Sequence, residues 1–169
     1  ECMIPAAIDS ENQTNVSWGQ AVSANYFEVV QVKPVLGRTF NPDEDKITGA
    51  NPVIVLSHSF WQRRFGGDPN IVGKTVRVND RPYEVIGVAP ESFVGTKFAL
   101  AMDFWTPMSM IEEIDRSPKL LTNRGSHWMN ALGRLKPGVS FAQASAEMTA
   151  IAGRLNEAYP DDRAKDTQA

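Results

Sequence analysis

The strongest candidates for chemistry in this sequence are serines next to a histidine. Ser57 and Ser59 flank His58, and the second histidine of the chain is His127. A serine nucleophile requires a base within hydrogen-bond reach and an acid that orients the base. Neighbouring residues of a helix point in different directions, so adjacency alone does not form a dyad. We therefore expect Ser57 to cap a helix, and a hydrolase would require Ser57, His58 and His127 to converge.

Metal ligands are also sparse in the sequence. One cysteine, Cys2, and two histidines occur without His-x-x-x-His or Cys-x-x-Cys spacing, which predicts no zinc site. The run Asp43–Asp45 is acidic, but it lacks the alternating ligands and central glycine of a calcium loop. It is more typical of a solvated helix start. Because Cys2 is alone, no internal disulfide can form, and we expect a structural thiol.

Two further patterns could indicate ligand binding. Gly73–Thr75 has the residues that end a P-loop, but Asp68 stands where the first glycine of that motif belongs. Nucleotide binding is therefore not expected, and no cofactor is predicted. Trp61, Trp105 and Trp128 have charged or polar neighbours and could stack on a ligand. Packing in a core is the commoner role of such side chains.

The composition describes a chain that can bury a hydrophobic core. Of its 169 residues, 42% are hydrophobic, and 17 basic residues nearly balance 20 acidic ones without long runs of one sign. No basic stripe could follow a phosphate backbone, so we expect no nucleic-acid partner. The longest apolar stretches, such as 53–56 and 98–102, are far shorter than the roughly 20 residues of a membrane span.

Both ends of the sequence are expected to be irregular. Pro5 and the polar run 9–15 predict a loop or disordered segment over residues 1–15, and residues 161–169 predict a polar tail. The N-terminus has neither an initiator methionine nor the pattern of a signal peptide. We therefore expect the chain to be a piece of a longer protein.

The middle of the chain has the clearest secondary-structure signals. The apolar run Val53–Leu56 predicts a strand buried on both faces. Ser57 can cap a following helix, which Gly66–Gly67 would end. Residues 75–88 alternate apolar and polar side chains around Asn79–Asp80, which predicts a β-hairpin.

Strands and helices also alternate outside this region. Val16–Val22, Asp103–Pro107 and Met129–Leu135 have the composition of strands. The capping box Ser140-x-x-Gln143 predicts the start of an amphipathic helix that ends at about Tyr159. These elements together predict an α+β fold with a mixed sheet and packed helices.

An ordered series of segments resembles the MacB-like periplasmic core domain of FtsX/MacB-like permeases. The similarity covers about residues 16–160, and one segment, Phe60–Gly67, is similar to acidobacterial-type permeases that lack a fused ATPase. The segments are Val16–Phe27, Pro34–Phe40, Val53–Ser57, Phe60–Gly67, Ile71–Lys74, Val85–Pro90, Asp103–Pro107 and Gly133–Ser140.

The resemblance implies a two-part domain. A β-rich, sabre-like insert would span residues 31–100, and residues 16–30 and 101–160 would form a porter-like part. The family's first strand and helix would be missing upstream of Val16. Such a domain lies between two transmembrane helices of a bacterial inner-membrane ABC transporter permease, on the periplasmic side.

The resemblance also implies a function without catalytic, cofactor-binding or metal-binding residues. The domain would relay movement of the transmembrane helices of its parent chain to a substrate or to a periplasmic partner protein. A cytoplasmic ATPase subunit would act at a distance, and a dimer of the parent permease is left open. The alternative is a periplasmic module that binds a small molecule or lipid in a cleft between subdomains.

Overall fold

A computed structural model describes residues 1–10, 13–97, 100–117, 119–123 and 128–160. The chain divides into two compact units, residues 1–121 and 122–169. No helix within the described ranges combines the length and apolarity that crossing a membrane requires. The elements are β1 Cys2–Ser10, β2 Gln13–Val22, α1 Tyr26–Val29, β3 Leu36–Gly37, a 3₁₀ turn Pro42–Asp45, β4 Val53–Leu56, α2 His58–Phe65, β5 Thr75–Val78, β6 Arg81–Val88, β7 Phe104–Pro107, a 3₁₀ turn Met108–Met110, α3 Ile111–Asp115 and α4 Phe141–Ala158.

The first unit is built on a mixed, seven-stranded sheet. Its strand order is β3-β6-β4-β7-β2-β1-β5, and β6 also pairs with β5. The pairs β2–β7 and β4–β6 are parallel, and the remaining pairs are antiparallel. Because β6 pairs with both β4 and β5, six of the strands form a closed ring of hydrogen-bonded ladders. The predicted α+β fold with a mixed sheet is confirmed.

The prediction of a loop over residues 1–15 is wrong. β1 pairs with β2 from Cys2↔Ala21 to Ser10↔Gln13, and Ile4 and Ile8 are fully buried. Pro5 suggested a loop because proline cannot donate to a ladder. Ala7 turns its N–H and C=O away from β2 toward Asn79, so Pro5, two residues earlier, faces that same edge. The strand therefore loses no bond to β2, and ordered structure precedes Val16.

The sheet buries apolar side chains on both faces. On one face the ring of Phe104 lies over Gly19, where a β-carbon would be 2.3 Å from it. The opposite face holds Trp105, whose ring contacts Phe27 and Phe93 at centroid distances of 5.6 and 5.2 Å. These aromatic contacts hold α1 and the loop around Phe93 against the sheet. The core of this second face comprises Val22, Tyr26, Phe27, Phe40, Val53, Val55, Ile86, Ala89, Met102 and Trp105.

The predicted hairpin and the helix after β4 are confirmed. β5 and β6 are antiparallel and meet at Asn79 and Asp80, whose φ angles of 48° and 67° fit a type I′ turn. Helix α2 begins after Ser57, which caps it, and ends at Gly66 with a φ of 61°. Local sequence chemistry thus fixes both elements.

The second unit contains α4 as its regular element in the described residues. Ser140 and Gln143 form the predicted capping box at its start. The strand predicted at Met129–Leu135 is absent: the segment has no ladder partner, and Met129 is 58% exposed. A strand needs a neighbour for its backbone groups, and an apolar composition alone does not provide one.

The predicted division of the chain at residues 31 and 100 stays a prediction. Strands from both sides of these bounds pair in one sheet, because β4 lies beside β7 and β7 lies beside β2. The polar tail predicted at 161–169 lies outside the described residues.

Candidate functional site

The serine and histidine candidates do not form a catalytic site in the described residues. Ser57 Oγ accepts from the Phe60 N–H at 3.2 Å as a helix cap, and it contacts Ser59 Oγ at 3.3 Å. The His58 ring instead packs edge-on against Trp61, with a centroid distance of 5.4 Å. His127 lies outside the described residues. In the part of the chain that the structure describes, the hydrolase interpretation therefore has no supporting geometry.

The acidic run holds neighbouring segments in place. Glu44 accepts two bonds from the Arg38 guanidinium, at 2.7 and 2.9 Å, and one from the Asn41 N–H at 2.7 Å. Burial acts to raise the pKa of Glu44, but these donors more than offset burial, and the pKa lies below its ordinary value. Asp45 accepts from the backbone N–H of Ser109 at 2.8 Å. Groups of three metal-ligating side chains are absent from the described ranges.

Gly73–Thr75 has no phosphate-binding geometry. The Gly73 N–H donates to the Val85 carbonyl at 2.8 Å, and Lys74 pairs with Asp68 at 2.5 Å. Thr75 begins β5, whereas a P-loop leads into a helix. The resemblance of these residues to a P-loop is accidental, as expected.

Two of the three tryptophan candidates belong to the core. Trp61 donates its ring N–H to the Asp68 carbonyl at 2.9 Å and so closes the end of α2. Trp105 is fully buried, and Trp128 is partly exposed in the second unit. Trp61 and Trp105 therefore serve as packing side chains of the first unit.

A surface groove of about 420 Å³ lies beside β6. Its lining includes three charged side chains, Arg38, Glu44 and Glu84, among apolar and uncharged polar residues. Arg38 and Glu44 already pair with each other, and ligand sites are usually enclosed and mostly apolar. The groove does not have the features of a small-molecule pocket.

The most distinctive polar arrangement is a buried group around Gln20, which we call the Gln20 network. Trp105 Nε1 donates to Gln20 Oε1 at 2.9 Å, and the Tyr26 hydroxyl donates to the same oxygen at 3.2 Å. The Gln20 Nε2 donates to Thr96 Oγ1 at 3.4 Å and to Glu1 Oε2 at 3.2 Å. Since an indole N–H is only a donor, it fixes which way the amide of Gln20 points.

The Gln20 network connects residues that are distant in sequence. Gln20 itself is 0% exposed and lies on β2, whereas Trp105 lies on β7 and Thr96 in the preceding loop. Lys97 pairs with the nearly buried Glu1 carboxylate at 3.3 Å. Burial raises the pKa of Tyr26, so its hydroxyl stays protonated and able to donate. A network of this kind resists separation of the segments it joins, because each broken bond leaves a buried polar atom.

A second set of polar contacts, which we call the Asp103 tie, joins β2, α2 and β7. Asp103 exchanges bonds with Trp18: its N–H donates to the Trp18 carbonyl at 2.7 Å, and its carboxylate accepts from the Trp18 N–H at 3.3 Å. Arg63 of α2 pairs with the same carboxylate at 2.8 Å. The Ser57 N–H donates to the Asp103 carbonyl at 2.8 Å. This residue therefore locks the start of α2 to the central strands.

Sequence reasoning missed Gln20 and Asp103 as positioning residues. Their partners are up to 85 positions away, so no local motif could reveal the contacts. The available signal was a glutamine between the small residues Gly19 and Ala21, followed later by Asp103 directly before the Phe104–Pro107 strand. A buried glutamine requires partners, but the sequence does not indicate which ones.

Comparison with known proteins identifies the architecture that these contacts stabilise. The model of the family described as MacB-like periplasmic core domain matches residues 4–151, which is most of the chain. The chain belongs to this family. It is accordingly the periplasmic domain of a bacterial inner-membrane ABC permease, a non-catalytic part of its parent.

The relatives of this MacB-like domain are much longer proteins. The chain is 30% identical over 133 residues to the macrolide export ATP-binding/permease protein MacB of Escherichia coli strain K12 and of Shigella dysenteriae serotype 1. Each match covers 77% of the chain and 19% of the relative. The chain thus spans about a fifth of the length of these relatives.

Solved structures of related domains share the fold. The periplasmic region of MacB from Actinobacillus actinomycetemcomitans matches with a TM-score of 0.66 and 21% identity, over 92% of this chain and 65% of that one. The extracellular domain of the transporter YknZ from Gram-positive bacteria matches with a TM-score of 0.55 and 18% identity, over 69% and 56% of the two chains. At identities of 21% and 18%, these similarities show that the domains share a fold.

Proposed function

We propose that this MacB-like domain is a relay that passes movement of the transmembrane helices to a substrate or a periplasmic partner protein. The proposal rests on the family and on one structural feature, the closed ring of strands with the Gln20 network across it. A relay must move without deforming. A ring of ladders has few free edges along which it could open.

The Gln20 network carries the mechanical part of this proposal. A load that pulls β2 away from β7 must separate four parallel residue pairs, Gly19↔Phe104 to Val22↔Pro107, and break the bond between Trp105 and Gln20. The buried Trp105 N–H would then lose its acceptor, and Gln20 Oε1 would keep only the Tyr26 hydroxyl as a donor. Separation is therefore costly at this point, and the strands move together.

The partners of such a relay are part of the proposal. They are the transmembrane helices of the same parent chain, a cytoplasmic ATPase subunit acting at a distance, and a periplasmic partner protein. Since the relatives are named as macrolide exporters, export is the favoured direction of transport. A dimer of the parent permease fits the same scheme.

The test is a distance measurement on the parent permease, reconstituted in vesicles with its ATPase. A donor dye on Ser92→Cys, an exposed turn position, in a Cys2→Ser background would report energy transfer to acceptor-labelled lipid headgroups. We expect the transfer efficiency to differ between the nucleotide-free and vanadate-trapped states. Vesicles that lack the ATPase subunit serve as the control. Equal efficiency in both states, with normal ATP hydrolysis, would contradict a relay.

The alternative function, ligand binding, would use the groove beside β6. Thermal-shift screening of the isolated chain with lipids, peptides and drugs tests this interpretation directly. A saturable rise in the melting temperature that Glu84→Ala abolishes would favour ligand binding over the relay. Absence of any shift agrees with the relay.

A further inference from the structure

The ring of strands in the first unit closes where β1 meets β5. Among the residues that the structure describes, that ladder consists of two residue pairs, Ile8↔Val78 and Asp9↔Arg77, and we call it the β1–β5 seam. On its other side β1 pairs with β2 over all nine of its residues. Strand β5 pairs with β6 over all four of its own. The seam therefore joins two strands that are each held more firmly by their other neighbour.

The junction between β4 and β7 is equally short but better supported. Its two residue pairs lie in strands whose residues are all buried. The Thr106 hydroxyl adds a bond from β7 to the Val53 carbonyl of β4 at 3.1 Å. At the β1–β5 seam, Arg77 is exposed, and so is Asp80 in the turn beyond it. Because water can replace backbone partners at an exposed site but not at a buried one, opening of the ring costs less at the seam.

The two sides of the seam differ in what else holds them. The Arg64 guanidinium of α2 donates to the Ile8 carbonyl at 3.1 Å, so β1 is tied to α2 as well as to β2. The tip of the β5–β6 hairpin, residues 77–82, lies beyond the pairing of β6 with β4, which begins at Val53↔Glu84. Opening of the seam would therefore move the hairpin tip and leave β1 in place.

Asn79 joins the hairpin tip to two neighbouring elements. Its N–H donates to the Ala7 carbonyl at 2.8 Å, and its side-chain Oδ1 accepts from the Ala7 N–H at 2.8 Å. Its Nδ2 donates to the Ile114 carbonyl of α3 at 3.0 Å. Asparagine suits this position, because it tolerates the left-handed φ of 48° and supplies both a donor and an acceptor.

We propose that Asn79 is a latch on the ring: its side chain holds the β1–β5 seam closed, and its release lets the hairpin tip leave β1 and α3. The seam then opens while the other ladders of the ring stay paired. Opening at this point leaves β2 beside β7 and keeps the Gln20 network intact. The inference therefore concerns the first unit alone and does not depend on the relay.

Amide hydrogen exchange of the 169-residue chain, followed by nuclear magnetic resonance, tests the latch. Asn79→Gly keeps the left-handed turn but removes both side-chain bonds, so the N–H of residue 79 should lose about tenfold in protection from exchange. Amides of the β2–β7 ladder should not change. Asp80→Gly is the matched control, because it places glycine at the next left-handed position of the same turn, with a φ of 67°, and removes an exposed side chain. It should leave the protection of residue 79 unchanged.

Thiol reactivity provides a second readout, which does not depend on the stability of the Asn79→Gly chain. Val78→Cys in a Cys2→Ser background places a thiol at the seam, at a side chain that is 1% exposed. Val85→Cys, 0% exposed on β6 and opposite Ile54 of β4, is the matched control. Even with Asn79 present, the thiol at position 78 should react with a disulfide reagent at least about tenfold faster than the thiol at position 85. Adding Asn79→Gly should accelerate only the reaction at position 78.

Two results would overturn the latch. One is unchanged protection of the residue 79 N–H in Asn79→Gly. The other is equal reaction rates for Val78→Cys and Val85→Cys, since both thiols would then be exposed only by unfolding of the whole unit.

Discussion

The two units of this chain differ in what stabilises them. In the first unit, contacts between distant residues hold the fold: Trp105 is fully buried and bonds to Gln20, 85 positions away. In the second unit, α4 has no buried residue, and its visible stabilisation is local, beginning with the cap at Ser140. The first unit is therefore a cooperative body, and α4 depends on its own propensity and on whatever covers its apolar face.

This difference suggests different roles within one family domain. A part that transmits movement must keep its shape, as the first unit does through closed ladders and buried polar ties. Helix α4 has no such buried polar ties among its described residues. Comparing equivalent substitutions in the two units can test whether this division is real.

The largest effect should come from Trp105, a buried tryptophan in the sheet of the first unit. Trp105→Ala removes a fully buried ring and leaves the Gln20 carbonyl with one donor fewer, so we expect a loss of about 3–5 kcal/mol in unfolding free energy. Trp18→Ala is the control, because Trp18 is 42% exposed and should cost below about 1.5 kcal/mol. Urea titration followed by circular dichroism measures both. Equal losses of unfolding free energy would show that the buried Trp105 stabilises the sheet no more than the partly exposed Trp18 does.

Glycine substitutions should have opposite signs in the two units. A β-carbon on Gly87 in β6 would lie 2.2 Å from the Arg38 carbonyl oxygen, so Gly87→Ala should cost about 1–3 kcal/mol. Gly153 in α4 has no atom within 4 Å of that position, so Gly153→Ala should stabilise the helix by about 0.5–1 kcal/mol. Urea titration measures the first change, and amide exchange of α4 measures the second. A destabilising Gly153→Ala would indicate that α4 is covered on this side.

The elements that could be predicted from sequence are those with a local signal. Ser57 and Gly66 bound α2, Asn79–Asp80 turns the hairpin, and Ser140 starts α4, each through the chemistry of a few adjacent residues. The resemblance in the ordered segments supplied the family, which the matched residues 4–151 confirm.

The features that sequence reasoning missed depend on contacts between distant segments. β1 was mistaken for a loop because Pro5 is a strand breaker unless its edge is unpaired, and only the register shows that it is. Met129–Leu135 was mistaken for a strand because its composition is apolar, although it has no ladder partner among the residues that the structure describes. The Gln20 network follows from the pairing of β2 with β7, which no local pattern encodes.

Removal of the two helix caps should separate global from local stability. Ser57→Ala leaves the Phe60 N–H in a buried site without its acceptor, so the whole first unit should lose about 1–2 kcal/mol. Ser140→Ala removes the equivalent bond to the Gln143 N–H at 3.2 Å, but in an exposed helix. There the first turn of α4 should fray with no change in the urea midpoint of the first unit. Hydrogen exchange with peptide resolution measures both, and a shared loss of protection would show that the two units unfold together.

The smallest effect should come from Glu44, a partly buried carboxylate next to the exposed carboxylate of Asp43. The pKa of Glu44 is lowered in the folded state, so its contribution to stability is present above the unfolded pKa and is lost as the pH falls through the folded pKa. Arg38 is 46% exposed, so solvent screening limits this contribution to below about 1 kcal/mol.

Glu44→Gln should reduce the stability difference between pH 7 and pH 3 in urea titrations. Asp43→Asn, at an exposed position that pairs with Lys46, is the control and should change that difference less, because water already solvates Asp43. A larger change with Asp43→Asn would mean that fully exposed charges, and not the partly buried Glu44 carboxylate, set the acid sensitivity of this turn.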